Sequence, residues 1–242
     1  MSEKKRKNGI IFGKFYPLHL GHVNFIQKAS GYVDDLYVVV CTDEKRDKKL
    51  FEKSNMKKIP TERDRIRFVK KTFKYQKNIK VIHLVEDEIA PYPNGWKDWS
   101  KRVKILLEKN NIKINTVFTN EPQDVINYKK NFINTNENEN VFDNNLEIKT
   151  IDTFRDNFNI SATEIRNSPY ENWEYIPKAV KEFFTLKIAI IGTKKSGKTN
   201  LVYKLSNYYN TTFVEEYRKK YVEENKECVN YSLQGKEYEF IV

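Results

Sequence analysis

Residues 9 to 22 read Gly9-Ile-Ile-Phe-Gly13-Lys14-Phe15-Tyr16-Pro17-Leu-His19-Leu-Gly21-His22. The run Gly9 to Phe12 is apolar and stops at a glycine, and the segment His22 to Ser30 that follows carries Val23, Phe25, Ile26 and Ala29 near helical spacing. Leu36 to Val40 is then a continuous β-branched run, of the kind buried on both faces of a parallel sheet. Residues 9 to 40 therefore predict a β-α-β unit. Further strands are predicted at Lys80 to Leu84, Thr116 to Thr119 and Leu146 to Ile151, alternating with helices at Arg63 to Phe73 and Trp99 to Glu108. This alternation predicts a doubly wound α/β fold around a parallel sheet.

Composition sets the outer limits. The 242 residues are 39% hydrophobic and 32% charged, which suits a folded core, and no run approaches the roughly 18 apolar residues of a membrane helix. The basic start, Met1 to Asn8, precedes an apolar run too short for a secretory signal, so the expected location is cytoplasmic. Cys41 and Cys228 have no Cys or His partner at metal-ligand spacing, which predicts reduced thiols, no disulfide framework and no zinc site. The net charge of +11 favours an anionic partner, nucleic acid or a phosphorylated small molecule, although a bias toward Lys and Asn explains the excess as well. Residues 134 to 145, NTNENENVFDNN, read as a polar surface loop. A helix at Lys178 to Phe184 would close a first domain, 1–186, and the apolar run Lys187 to Ile191 would begin a second segment, 187–242, small for an independent α/β domain.

The stretch after the first strand has the makings of a phosphate cradle. It lies where an α/β sheet binds ligands, outside the carboxyl ends of its strands. Gly13 and Gly21 allow close backbone approach, the helix start offers free N–H groups, and His19 and His22 add imidazole donors. His83, inside a strand pattern, reads as a structural histidine. At Gly13 to His22 the sequence resembles the nucleotidyltransferase superfamily, whose signature G-x-F-x-P-x-H-x-G-H is met at every specified position. Ile160-Ser161-Ala-Thr163-Glu164-Ile-Arg166 supplies its second half, I-S-x-T-x-x-R, and Ser161 with Glu164 also forms a Ser-x-x-Glu helix-capping box. The resemblance implies a Rossmann-like nucleotidyltransferase fold in which both elements converge on one triphosphate.

A second group of residues narrows the family. Tyr92-Pro-Asn94-Gly95-Trp96-Lys-Asp-Trp99 is a turn-rich stretch whose indoles suit stacking on an electron-poor ring, though buried tryptophans are commonly core. Together with Cys41-Thr-Asp43, Lys49, Glu121-Pro-Gln123-Asp124, Trp173 and Ile176 to Val180, it resembles the bifunctional nicotinamide-nucleotide adenylyltransferase/ribosylnicotinamide kinase family. The resemblance implies in-line attack by the 5′-phosphate of nicotinamide mononucleotide (NMN) on the α-phosphorus of ATP, giving NAD and pyrophosphate. His19 and His22 would meet the α- and β-phosphates with Lys14 adding charge, and Ser161, Thr163 and Arg166 would hold the departing pyrophosphate. Phe15, Tyr16, Pro17 and Ile160 would complete the ATP site. Lys49, Tyr92, Asn94, Trp96, Trp99, Glu121 and Gln123 would enclose the mononucleotide. Mg²⁺ would bridge phosphate oxygens with water as its other main ligand, so no carboxylate cluster is called for. An oligomer is expected by family likeness alone.

Gly192-Thr-Lys-Lys-Ser196-Gly197-Lys198-Thr199 is a G-x-x-x-x-G-K-T motif between a predicted strand and a helical stretch, Leu201 to Tyr208. Backbone N–H groups would cradle phosphates, Lys198 would reach the β- and γ-oxygens and Thr199 would ligate Mg²⁺. In the resembled family this belongs to the kinase. Only 43 residues follow Thr199, so phosphate binding without useful kinase activity is expected unless the chain is a fragment, with Glu215, Glu216 and Tyr217 as the remaining acceptor-side residues. Competing readings are an adenylyl- or cytidylyltransferase for another phosphorylated acceptor, a nucleotide-sensing regulator and a class I aminoacyl-tRNA synthetase. Trp96 and Trp99 argue against the first, eight residues before the first strand leave no room for a DNA-binding helix pair, and the chain is short for the third.

Overall fold

The computed structural model describes residues 6–133, 141–153, 157–193 and 195–214. The chain divides into two compact units, Met1–Thr185 and Leu186–Val242.

The first unit is built on five parallel strands, β1 (Asn8–Gly13), β2 (Asp35–Thr42), β3 (Ile79–Val85), β4 (Ile114–Thr119) and β5 (Phe142–Thr150), in the order β3-β2-β1-β4-β5. Its helices are α1 (Leu20–Ser30), α2 (Glu44–Glu52), α3 (Glu62–Thr72), α4 (Trp96–Lys109), the short α5 (Val125–Tyr128), α6 (Ala162–Asn167) and α7 (Lys178–Phe184). The apolar runs become strands because both faces of the sheet are covered. Alternate residues divide between two cores. Ile11, Leu36, Val38, Val40 and Phe118 pack with Val23 and Ile26 of α1, Phe68 and Val69 of α3, and Val180 and Phe183 of α7. Ile10, Val39, Cys41, Leu84 and Val117 pack on the other face with Val103 and Leu107 of α4, and with Tyr128 and Phe132.

The strand order reverses at β1. The chain winds outward through β2 and β3, then returns to the other side of β1 for β4 and β5. Parallel pairing of β1 with β4 is registered only at Gly9–Thr116 and Ile10–Val117, so their carboxyl ends, Gly13 and Thr119, part and leave a crevice. That reversal is where a doubly wound sheet places its ligand site.

Three sequence expectations shift. The polar stretch 134 to 145 is cut short, because β5 already begins at Phe142, whose ring is buried and pairs in register with Ile114; residues 134–140 lie outside the described residues. Trp96 and Trp99 stand in the first turn of α4, with Gly95 as its N-cap. A Cβ at Gly95 would fall 2.1 Å from the Ala90 carbonyl oxygen, so the preceding turn folds tightly against the helix start only with glycine there. Lys187 to Ile191 pairs with no strand among the described residues, and Ile188 and Ile191 are exposed; a strand exists only through a neighbour's backbone, which sequence pattern does not supply.

In the second unit α8 (Lys198–Tyr208) follows Gly197, whose φ is +83°. No helix among the described residues is long and apolar enough to cross a membrane.

Candidate active site

A cleft of about 240 Å³ opens at the carboxyl end of β1, lined by Phe12, Gly13, Phe15, His19, Gly21, His22, Phe25, Asn120, Glu121, Asp152, Ile160, Ser161 and Ala162. It joins four segments: the turn after β1, the start of α1, the residues after β4, and the approach to α6.

His19 caps α1. Its Nδ1 accepts from the His22 backbone N–H at 3.4 Å, and the ring is only 5% exposed. With Nδ1 accepting, the ring proton of the neutral form sits on Nε2, which is then a donor. The His19 and His22 rings stack at 3.7 Å, and Phe15 meets His22 edge-on at 5.1 Å. Gly21 makes this possible, since a Cβ there would press on His19 Cε1 and Nδ1 at 3.0 Å. Two imidazoles and the N–H groups of an 11-residue helix thus share one end of the cleft.

The second signature half approaches from α6. Ser161 and Glu164 form the predicted capping box: Ser161 N–H donates to Glu164 Oε2 at 2.8 Å, and Glu164 N–H donates to Ser161 Oγ at 3.2 Å. Hydrogen bonds from Ser161, helped by the nearby His19, hold the Glu164 carboxyl below the usual carboxylate range. Ile160 and Ser161 reach the cleft wall.

Arg166 is the residue expected to meet the departing pyrophosphate. It is buried, donates to the Tyr16 carbonyl at 2.7 Å and to Thr163 Oγ1 at 2.8 Å, and so clamps the loop between β1 and α1 from beneath. Two guanidinium groups lie over the Tyr16 ring, Arg65 at 5.1 Å and Arg166 at 5.9 Å. Burial first, and Asp47 second, push its hydroxyl up to about 12. Pro17 is buried beside it. Lys14 turns away from the cleft to Asp47, Nζ to Oδ1 2.9 Å.

The residues assigned to the mononucleotide are only partly gathered. Glu121 lines the cleft, and Gln123 donates to its Oε2 at 2.8 Å. Trp99 packs edge-on against Phe12 at 4.7 Å, and Trp96 meets Trp99 at 5.2 Å and Tyr128 at 5.1 Å. The indoles therefore belong to an aromatic cluster of the second core that touches the cleft through Phe12. Trp99 Nε1 donates to Glu86 Oε1 at 2.9 Å. Tyr92 and Asn94 are exposed on the preceding turn, and Lys49 is exposed on α2 with no cleft contact. His83 is structural: its ring bonds Thr42 Oγ1 at 2.8 Å and faces Glu62.

Sequence reading missed Asp152, Asn120, Phe12, Asp47 and Arg65. Asp152 has φ +56° and a side chain only 3% exposed, and it accepts from Asn24 at 3.0 Å and Lys28 at 2.5 Å, tying α1 to the segment that leads to Ile160. No motif marks it; the one signal was a carboxylate directly after a strand.

In the second unit Gly192, Gly197 and Thr199 are exposed around a turn, and Lys198 Nζ folds back to the Thr193 carbonyl at 2.7 Å. Glu215, Glu216, Tyr217 and Cys228 lie outside the described residues.

The profile of the family described as Cytidylyltransferase-like matches residues 10–168. The chain is 39% identical over 239 residues to the trifunctional NAD biosynthesis/regulator protein NadR of Salmonella typhimurium, covering 98% of this chain and 55% of that protein. It is 39% identical over 238 residues to the protein of the same description from Escherichia coli, with the same coverage of 98% and 55%. The chain thus spans about half the length of the curated relatives it matches. A crystal structure of NadR protein in complex with NAD and AMP-PNP superposes with a TM-score of 0.67 at 28% identity, covering 91% of this chain and 58% of that one.

Proposed function

The chain belongs to the cytidylyltransferase-like family, and from that premise we propose that it is a nicotinamide-nucleotide adenylyltransferase, making NAD and pyrophosphate from ATP and NMN in the cytoplasm. The observation that carries this reading is the meeting of His19 and His22 with Ile160 and Ser161 around one cleft at the sheet's point of reversal. Likeness to relatives named for NAD biosynthesis supplies the acceptor.

The chemistry asked of the protein is positioning. The attacking 5′-phosphate oxygen is already anionic, so no side-chain nucleophile takes part. His19 and His22, with the α1 amides, donate to the oxygens of the α- and β-phosphates as charge builds on them. Ser161 and the start of α6 receive the pyrophosphate. Arg166 keeps the loop in shape by holding the Tyr16 carbonyl, and Glu121 with the Phe12–Trp99 cluster borders the acceptor side.

Among the described residues no three His, Cys, Asp or Glu side chains stand together as a metal site. Of the nearby carboxylates, Asp47 and Asp152 are engaged by cationic side chains, and Glu121 at the cleft wall accepts from Gln123. This donor set fits a Mg²⁺ carried on phosphate oxygens and water. Such an ion would lower the negative charge that the incoming phosphate meets. For the Gly192 to Thr199 turn we propose phosphate binding.

The test is NAD formation from ATP, Mg²⁺ and NMN, run beside ribosylnicotinamide with the same protein. NAD from the mononucleotide supports the reading; none from it, while another phosphorylated acceptor is adenylylated, replaces it.

A further inference from the structure

Beside the phosphate loop lies a charged cluster in which Lys14 of the first signature half meets Asp47 and Arg65, which lie outside both halves. Asp47 is the one fully buried residue of α2, whose Leu50 and Phe51 also pack against the first core. Its carboxylate receives Lys14 Nζ at 2.9 Å, an Arg65 terminal nitrogen at 2.5 Å and the Asp43 backbone N–H at 3.0 Å. Arg65 is 2% exposed, and its other terminal nitrogen donates to the Lys14 and Cys41 carbonyls at 2.9 and 3.2 Å. Lys14 is therefore held twice, by its main chain through Arg65 and by its ammonium through Asp47.

Two cations contact the Asp47 carboxylate, and the Asp43 carboxylate lies near enough to feel the Lys14 charge. Arg65 and Asp47 are both buried and face each other closely, whereas the Lys14 side chain, at 32% exposed, is the most accessible of the three. In the chain Lys14 stands between Gly13 and Phe15, which both line the cleft. A flexible ammonium on that tether can exchange the Asp47 carboxylate for a phosphate oxygen. Arg65 makes the exchange cheap, because Asp47 stays neutralised after the lysine leaves and no buried carboxylate is stranded.

We propose that Asp47, braced by Arg65, is a positioning residue that parks the Lys14 ammonium beside the phosphate loop and releases it to an incoming nucleoside triphosphate. The proposal rests on the adenylyltransferase reading for the identity of the anion. Loss of the Asp47 charge removes the one carboxylate that both Lys14 and Arg65 contact, which releases the ammonium from its place.

The experiment is a double-mutant cycle of Asp47→Asn and Lys14→Met, read as kcat and KM for ATP and for NMN. Asp47→Asn is expected to lower kcat/KM for ATP about tenfold, as for a lost charge-assisted contact, with KM for NMN unchanged. In the Lys14→Met background the same change is expected to alter kcat/KM by less than about twofold. An equal loss in both backgrounds would overturn the proposal and leave Asp47 as structural support. Thermal midpoints are recorded for every variant, and Asp47→Ser, which also removes the charge, takes the place of Asp47→Asn in the cycle, with the same expected outcomes, if the latter does not fold. The cycle is repeated as ATP binding without mononucleotide. Coupling there, with no NAD made by the unmodified protein, would keep this proposal and reject the acceptor assignment; absence of coupling in both would reject the proposal itself.

Discussion

The Arg166 guanidinium donates to the main-chain carbonyl of Tyr16 at 2.7 Å across 150 residues of sequence. The two signature halves are thus joined by a hydrogen bond within the protein as well as by a shared cleft. Removing the guanidinium leaves a buried carbonyl without its donor, which costs about 1–3 kcal/mol. Arg166→Ala should lower the thermal midpoint and cut kcat/KM for ATP, whereas Thr163→Ala, which removes only the acceptor at 2.8 Å, should do far less. Parallel urea titrations and ATP-dependent rates of the two variants check this, and equal effects would mean that the clamp is not the important contact.

His19→Ala separates the cap from the chemistry. Loss of the Nδ1 cap should cost about 1 kcal/mol of stability, while loss of a preorganised donor should lower kcat about 10²–10³-fold. His19→Asn restores an N-cap acceptor. If its turnover also returned to the native level, His19 would be only a cap.

His83 sets a pH dependence. Burial, which outweighs the opposing Glu62 and Asp87, lowers its pKa from the ordinary 6.5. The unfolded chain therefore binds a proton on His83 at a higher pH than the folded one, so stability present above pH 6.5 is lost as pH falls through the folded value. Thermal midpoints measured from pH 7.5 down to about 5.5 should fall more steeply for the native protein than for His83→Asn. Parallel curves would show that this imidazole carries none of the dependence.

Trp99 and Glu86 test where the indoles belong. Trp99→Phe leaves the Glu86 carboxylate, 9% exposed, without its 2.9 Å donor, at a cost of about 1–3 kcal/mol. Trp99→Phe combined with Glu86→Leu should cost less than the sum of the two single changes, which denaturant unfolding reads directly. Additive losses would remove the hydrogen bond from the account of the second core.

Some elements could be read without coordinates because their pattern is self-contained. The runs Gly9 to Phe12 and Leu36 to Val40 need only two covered faces, and the Ser161–Glu164 box is local by nature. Others could not. The α2 sequence Glu-Lys-Arg-Asp-Lys-Lys-Leu-Phe-Glu has apolar residues only at Leu50 and Phe51, and its fully buried residue is an aspartate, so its main inward contact is electrostatic and leaves little hydrophobic signature. Trp96 looked like a loop residue because Pro93, Asn94 and Gly95 precede it, yet the helix expected from Trp99 already starts after Gly95. Arg166 was singled out by its motif, but a motif specifies neighbours in a chain and cannot say that the guanidinium reaches the Tyr16 carbonyl. Lys187 to Ile191 has the composition of a strand, but composition names no partner.

The Tyr16 ring, in contact with both Arg65 and Arg166, also fixes an order of assembly. One guanidinium comes from α3 and the other from α6, so the loop at residues 13–17 cannot take its final shape until nearly the whole first unit has been synthesised and folded. Contacts of such long sequence separation form late and slow the search for the native state. A nascent chain bearing the complete first motif would consequently not yet hold nucleotide. ATP would select only finished copies, and at concentrations well above its dissociation constant it would bias the population toward them by mass action.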